Sequence, residues 1–394
     1  MLSPAGQANA QLSLSLERSY THSFLPQELI GEPVLSKDSQ ATMAIAGLTD
    51  PEAIVDEISA LLSTSADEVD RIFAKDRDRI VAEIDALNAT AATTGTEADR
   101  ARYGQQLVLS RIFQTVMQIP DRPTAEGSSL LHEVTRRLER ATITAEDAYL
   151  APGLLDEAPE APKQFLSWLK GRIRSHRVFK HPYYTEFIKH EAQRKDLRTY
   201  VIQESLIDGR FDDLLAMMQV GTSGPSKMEI ANNYWDEMGN GDPEAVHTHL
   251  FNKIYEIFDV RSEDLEAAMT ASDLLSGNLA VILCRYRHLY PEAVGFLGMT
   301  EWLAPDRFRN VVHAWERLGL PEVGITYHRL HITIDSQHAA GWFHNVVIPT
   351  AGSPYMRRGI ARGALWRANS SARHLDERLA QALNTDRRLP VATG

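Results

Sequence analysis

Two histidines and an aspartate share a short segment in the last quarter of the chain. His331, Asp335 and His338 lie in the sequence YHRLHITIDSQHAAGWFHN. At about 100° per residue of an α-helix, Asp335 is rotated roughly 40° from His331, and His338 roughly 20° in the other direction. The spacing therefore predicts one carboxylate between two imidazoles on one helix face. Such a set of ligands suits iron, manganese or zinc.

The alternative for these three residues is the polar face of a surface helix. The surrounding apolar residues argue against it, because a helix so apolar should be buried, and its three polar groups would then need partners. These apolar residues are Ile332, Ile334, Ala339, Ala340, Trp342 and Phe343. Metal binding is the favoured interpretation.

The composition is typical of a water-soluble globular protein. The chain has 394 residues, of which 43% are hydrophobic and 24% charged, and this length allows two domains at roughly 150 residues per domain. The net charge of -12 disfavours nucleic acid and anionic membranes as partners. The single cysteine, Cys284, excludes internal disulfides and sites built from several cysteines. Neither a signal peptide nor a membrane-spanning apolar run is evident, so we expect a cytoplasmic protein.

The sequence predicts four successive segments. Residues 1–48 are rich in Ser, Ala, Gln and Gly and form a partly ordered arm. Residues 49–150 show helical periodicity and form a helical N-terminal domain, for which we expect a role in dimerisation. Residues 151–164 carry three prolines and three acidic residues and form a linker. Residues 165–394 are helical again and contain the histidine segment.

The predicted fold class is all-α, a helical bundle preceded by the smaller N-terminal domain. No stretch alternates between polar and apolar residues for long enough to form a sheet. The longest predicted helix begins near Pro182 and ends before the break at Gly221–Pro225. A metal in the core of such a bundle requires carboxylates from facing helices. The paired Glu-x-x-His motifs of ferritin-like di-iron proteins are missing, so another set of ligands is needed.

Three glutamates outside the histidine segment are candidates for this role. Glu237 is followed by a Gly-rich turn, which can bring it close to His247, ten residues later. Glu301 lies in a helix rich in small residues. Glu204 lies in the apolar centre of the longest predicted helix, where an isolated carboxylate would be costly to bury.

In their order and spacing, these motifs resemble those of the haem-oxygenase-like di-iron oxidases and oxygenases. The resemblance covers roughly residues 165–385, and it implies a haem-oxygenase-like helical bundle. It rests on the Glu237 turn with its histidine, on a Gly-x-Leu-x-x-x-Glu helix, and on the His-x-x-x-Asp-x-x-His helix. The resemblance implies six core iron ligands, namely Glu237, His247, Glu301, His331, Asp335 and His338.

The resemblance also implies a seventh ligand. Family members that oxygenate nitrogen have one further carboxylate ligand and a helical N-terminal domain. Glu204 is the candidate for that ligand, and Glu229 and Asp236 are the alternatives. His249 is an alternative to His247, although the ten-residue spacing favours His247. Three imidazoles and three or four carboxylates exceed the coordination of one octahedral ion that must also bind oxygen, which supports two irons.

The implied function is that of a non-haem di-iron N-oxygenase, a monooxygenase. The cofactors would be two iron ions that alternate between Fe(II) and Fe(III), with O2 as co-substrate and a reductase or small reductant as electron donor. The substrate would be a small amine, such as lysine or an arginine derivative, converted to an N-hydroxy or nitro product in a biosynthetic pathway. Oxidative cleavage of a C–C bond, by decarboxylation or desaturation, is the alternative within the family. A metal-free enzyme and a helical scaffold are the alternatives outside it, and a homodimer is expected.

Overall fold

Residues 50–387 are the part of the chain that the computed structural model describes, so the arm predicted over residues 1–48 lies outside it. Within this part the chain forms α-helices joined by short 3-10 and π-helical segments, and it contains no β-strand. The predicted all-α class is confirmed. Among the helices of residues 50–387, none is long and apolar enough to cross a membrane.

The N-terminal segment folds into four long helices. These are α1 (Pro51–Leu62), α2 (Ala66–Ala91), α3 (Thr96–Met117) and α4 (Ser129–Asp147). Side-chain caps mark the starts of α1 and α4: the Ser128 side chain, for example, accepts a hydrogen bond of 3.2 Å from the backbone N–H of Leu131. Helix α3 also packs on a helix of the second segment, where Asn278 donates a hydrogen bond to the carbonyl of Gln106. Part of the apolar N-terminal surface is therefore buried within the same chain.

The second segment forms the bundle. Its α-helices are α5 (Pro162–Ser175), α6 (Arg194–Glu204), α7 (Phe211–Gln219), α8 (Gly224–Glu237), α9 (His247–Phe258), α10 (Ser262–Ala267), α11 (Ala271–Arg285), α12 (Tyr290–Arg317), α13 (Thr326–Gly341) and α14 (Pro354–Arg387). After α13 the chain continues as a π-helix over Trp342–Val347 and one α-helical turn over Ile348–Thr350. Helix α5 begins within the residues predicted as a linker, because Pro162 fits the first turn of a helix.

The single helix predicted to start near Pro182 is interrupted twice. A π-helix over Tyr183–Glu191 precedes α6, and a 3-10 turn over Asp208–Arg210 separates α6 from α7. The first interruption is stabilised by Gln193 and Asp196, which form a reciprocal capping box at the start of α6. The second contains an Asp-Gly pair, a combination typical of turns. It places the carboxylate of Asp208 in the interior of the bundle.

Helix α12 packs between α13 and α14 and also contacts the π-helix that precedes α6. Its sides are fixed by polar as well as apolar contacts. The indole N–H of Trp342 donates a hydrogen bond of 3.0 Å to the carbonyl of Val294, and both groups are buried. The indole of Trp315 is also buried and donates to the carbonyl of Pro321 at 2.9 Å. These contacts fix the position of α12, and with it the side chains of α12 that face α13.

Candidate metal centre

Helix α13 presents its three candidate ligands on one buried face. His331, Asp335 and His338 are each at most 4% exposed, whereas Ser336 and Gln337 on the opposite face are exposed. This arrangement matches the side-chain direction that the helical spacing predicts. The carboxylate lies between the two imidazoles along the helix.

His331 belongs to a first group of buried residues with Glu237, the last residue of α8, and His247, the first residue of α9. Each offers a ligand atom within 4.8 Å of the others. Glu237 Oε2 lies 2.8 Å from His247 Nδ1, and Glu237 Oε1 lies 3.9 Å from His331 Nε2. The two imidazole rings meet edge to face at 4.5 Å. Two nitrogens and a carboxylate can hold one metal ion here.

A tight turn brings His247 back to Glu237. The chain reverses direction immediately after α8, where Gly239 has a φ of 63°. A Cβ atom at Gly239 would lie 2.6 Å from the carbonyl carbon of Ala245, so only glycine fits this position. The structure thus shows the reversal that the Gly-rich sequence predicts.

A second group joins Glu301 of α12 to Asp335 and His338. Their ligand atoms also lie within 4.8 Å of one another, and all three side chains are buried. Glu301 Oε2 lies 3.6 Å from His338 Nδ1. Burial and then the charges of Glu301 and Glu237 raise the pKa of the Asp335 carboxyl well above its usual range. Asp335 of this group lies one helical turn from His331 of the first group, which places the two groups side by side.

Oε1 of Glu301 is buried without a hydrogen-bond partner. Nδ1 of His247 and Nδ1 of His338 face only the carboxylates of their own groups, at 2.8 and 3.6 Å. An unpartnered oxygen is costly to bury, and a bound cation would satisfy it. Mixed nitrogen and oxygen donors suit Fe(II), and three protein ligands in each group leave positions open for other molecules. The residues fit one metal ion in each group.

Neighbouring groups orient two of the imidazoles. His331 Nδ1 lies 2.8 Å from the carbonyl oxygen of Tyr327, which leaves Nε2 directed at the first group. His338 Nε2 lies 3.0 Å from Asp236 Oδ2, which leaves Nδ1 directed at Glu301. Acceptors of this kind fix the ring orientation and increase the basicity of a metal-binding histidine. Asp236, an alternative for the seventh ligand, is thus in contact with a ligand histidine instead.

In the metal-free protein, Glu237 of the first group is ionised and His338 of the second group binds a proton. Burial opposes ionisation of Glu237, but hydrogen bonds with His247 and His331 outweigh it and lower the pKa of Glu237 to about 2. Burial also opposes the charged form of His338, but hydrogen bonding to Glu301 contributes to raising the pKa of this imidazole to about 9. A cation that binds at Nδ1 of His338 must displace a proton, so metal binding and proton release are coupled.

The structure does not bring Glu204 into either group. Its Oε1 lies 2.5 Å from Arg378 Nη1. Burial opposes ionisation of Glu204, but Arg378 outweighs it and lowers the pKa of the carboxyl. Glu229 is held elsewhere too, because its Oε2 accepts a hydrogen bond of 2.6 Å from the side chain of Asn345. Both carboxylates have partners in the protein.

Asp208 is the carboxylate beside the centre that the sequence analysis missed. It is buried, and its Oδ2 has no hydrogen-bond partner. Burial, Glu204 and Glu237 raise the pKa of Asp208 well above its usual range, and Asp208 in turn contributes to the raised pKa of Asp335. The overlooked signal was the Asp-Gly pair, which marks a turn within a stretch interpreted as one helix.

The other histidines near the motifs lie outside both groups. His249 is exposed and lies 3.5 Å from Glu244, so His247 is the histidine that the turn directs inwards. His328 is fully buried, with Nε2 3.5 Å from the hydroxyl of Tyr200. Burial, together with the charge of His331, lowers the pKa of His328 to about 3, so this imidazole is neutral.

Comparison with known proteins relates the bundle to one described family. No curated protein matches the chain. The chain does match a family that is named after haem oxygenase and described as iron-containing redox enzymes. The matched residues extend from α6 into α14 and include both groups of candidate ligands. The match supports the haem-oxygenase-like bundle and an iron-dependent oxidoreductase activity. Over residues 198–372, the chain is similar to iron-containing redox enzymes.

Proposed function

We propose that this protein is a non-haem di-iron monooxygenase that transfers oxygen to the amine nitrogen of a small molecule. The observation that carries the proposal is the pair of adjacent buried groups, each with carboxylate and imidazole ligands. Asp335 of the second group lies one helical turn from His331 of the first, where a ligand shared by two neighbouring ions would lie. One metal site would not require two such groups, and a scaffold would not require unpartnered polar atoms in its core.

The reaction needs an external supply of electrons. Written in full, R-NH2, O2, two electrons and two protons give R-NHOH and water, so a reductase or a small reductant must provide the electrons. The bound irons would supply the reduction of O2 and the transfer of one oxygen atom. Repeated cycles would carry the hydroxylamine on towards a nitro group.

The protein's own residues hold and shield the site. The tight turn after α8 and the fixed position of α12 hold Glu237 and Glu301 against the one buried face of α13. Asp236 and the Tyr327 carbonyl keep the ring nitrogens of His338 and His331 directed inwards. All six candidate ligands are buried, which keeps bulk water away from a reactive site.

Metal loading and product mass test the proposal. The full chain is loaded anaerobically with Fe(II), its iron is counted, and it is exposed to O2 and a reductant with a panel of amino acids and simple amines. We expect about two irons per chain and products that have gained oxygen. Products that have only lost mass would show oxidative C–C cleavage or desaturation instead. Failure to bind iron would exclude both activities.

A pair of substitutions tests which carboxylate is the seventh ligand. We infer that it is Asp208 rather than Glu204, because Asp208 is unpartnered and interacts with Glu237. Asp208→Asn should weaken one of the two iron sites by about tenfold or more, measured by Fe(II) titration. Glu204→Gln should leave the iron content unchanged but destabilise the fold by roughly 1–3 kcal/mol, because Arg378 loses a charged partner. Loss of iron from the Glu204 variant alone would reverse the assignment.

A further inference from the structure

A polar cavity lies next to the metal centre, between the end of α6 and helices α11, α12 and α14. Its enclosed part has room for about one water-sized group. The residues that matter for its chemistry are Gln203, Glu204, Ser276, Arg307, Arg367 and Ser371. Polar side chains dominate this list, so the cavity suits a charged group better than an apolar one.

Arg367 is the most unusual of these residues. Its side chain belongs to α14 and is only 6% exposed. Nη1 donates a hydrogen bond of 3.0 Å to Ser276 Oγ, whereas Nε is buried without a partner. Within the described part of the chain, no carboxylate makes an ion pair with it. Burial and the nearby Arg307 lower the pKa of Arg367 to about 10, so the guanidinium remains charged at neutral pH. A buried charge without a counterion is costly unless an anion joins it.

Arg307 reaches the same cavity from α12. Its Nη2 donates a hydrogen bond of 3.0 Å to Ser371 Oγ, and its guanidinium lies over the ring of Tyr184 at 5.3 Å. It also makes no ion pair with the carboxylates that the structure describes. Two guanidinium groups near one cavity repel each other, and an anion between them would remove that repulsion. Guanidinium groups bind carboxylates through paired hydrogen bonds, so a carboxylate suits this site.

Arg378 is an arginine of the same cavity that has a purely structural role. It lines the same cavity and is also buried, but it pairs with Glu204 at 2.5 Å and with Asp273 at 3.1 Å. The cavity is thus lined by three arginines, Arg307, Arg367 and Arg378, and by two carboxylates, Glu204 and Asp273. Both carboxylates pair with Arg378, so Arg307 and Arg367 have no acidic partner among them. The chain supplies acidic partners for one arginine and leaves the other two available for an external anion.

The cavity adjoins the metal centre through the turn after α6. Ile207 lines the cavity, and the next residue, Asp208, interacts electrostatically both with Arg367 and with Glu237 of the first metal group. Only the turn that carries Asp208 therefore separates the arginines from the first metal group.

We propose that Arg367 and Arg307 bind a carboxylate of the substrate, which makes the substrate an amino acid rather than a simple amine. The anion site stands on its own contacts, and only its role in the reaction rests on the proposed function. Arg367 provides a buried guanidinium, and Arg307 provides a second one that is partly exposed.

Formate tests the anion site independently of any turnover. The iron-loaded full chain is heated in increasing formate, with chloride at equal ionic strength as the control. We expect formate to raise the melting temperature in a saturable way, and Arg307→Gln to weaken that response about tenfold or more. Arg309→Gln is the matched control, because Arg309 is exposed on the same helix and pairs with Asp306. An equal response in the native protein and Arg307→Gln, or no response to formate, would overturn the site.

Matched substrates test the role of the site. L-Lysine and cadaverine differ by one carboxylate, and each amino acid that turns over is compared with its decarboxylated counterpart. We expect Arg367→Lys, which keeps the charge but loses the paired donors, to raise KM for the amino acid about tenfold or more. The KM for the decarboxylated amine should stay unchanged. An equal change for both compounds would overturn carboxylate recognition. If formate binds through the arginines but no amine is oxygenated, only the proposed function fails.

Discussion

Replacing Asp335 with asparagine is expected to abolish oxygen-dependent turnover while leaving the metal-free protein at least as stable as the native chain. Asp335 belongs to the second group and lies one helical turn from His331 of the first, so we expect its loss to disturb both metal sites. Substitution of residues that merely orient metal ligands already costs about 10–100-fold in metal affinity or activity. Loss of a shared ligand should therefore lower kcat/KM by more than about 100-fold.

The stability of the metal-free protein should respond in the opposite direction. The Asp335 carboxyl is buried and faces the carboxylates of Glu301 and Glu237, so both burial and like charges disfavour its ionised form. An asparagine of the same shape is never ionised, so it avoids this cost. Residues that serve a reaction often reduce the stability of the fold in this way. The native protein should recover stability only when cations are bound.

Thermal unfolding with a chelator and with anaerobic Fe(II) separates the two effects. The native chain should melt at a higher temperature with Fe(II), whereas Asp335→Asn should show little shift. Ser336→Ala is the control, because Ser336 is the next residue of α13 and its side chain is exposed on the opposite face. A variant that is less stable than the native chain under chelation, or that Fe(II) still stabilises fully, would contradict this account.

Local features of the sequence predict a large part of the metal centre. The spacing of His331, Asp335 and His338 predicts one helix face, because helical periodicity depends only on neighbouring residues. The Gly-rich turn between Glu237 and His247 is equally local, since it depends on the positive φ that glycine adopts readily. The structure shows both arrangements.

Local sequence patterns do not predict contacts between distant parts of the chain. Glu204 is a partly buried acid at the end of a helix, which matches the expectation for a ligand. Its partner is Arg378, which is 174 positions away in the sequence. No local pattern reveals that contact. The sequence analysis also did not predict the break between α6 and α7, which positions Asp208. The apolar residues on both sides of this turn keep a spacing compatible with one continuous helix.

Gly363→Ala is expected to destabilise the bundle by about 3 kcal/mol or more, because it forces apart helices α12 and α14. A Cβ atom at Gly363 would lie 1.9 Å from the carbonyl oxygen of Glu292, and one at Gly295 would lie 2.0 Å from that of Ile360. Both obstacles are backbone atoms, which cannot rotate away as the end of a side chain can. The two helices must therefore separate or shift before the methyl group fits.

Gly363→Ala should also weaken metal binding, because a shift of α12 moves Glu301 of the second group. Chemical denaturation measures the free energy of unfolding, and Fe(II) titration measures the affinity of the second group of ligands. We expect both to decrease in Gly363→Ala. Gly171→Ala is the matched control: Gly171 lies on the exposed side of α5, and no heavy atom lies within 4 Å of its added Cβ.

The control substitution should act in the opposite direction. Alanine favours a helix over glycine by roughly 0.5–1 kcal/mol, because it restricts the unfolded chain. Gly171→Ala should therefore raise the stability slightly and leave iron binding unchanged. Opposite signs for two identical substitutions would show that helix separation, not helix propensity, sets the effect at Gly363. If both variants gained stability, the close crossing of α12 and α14 would not be what positions Glu301.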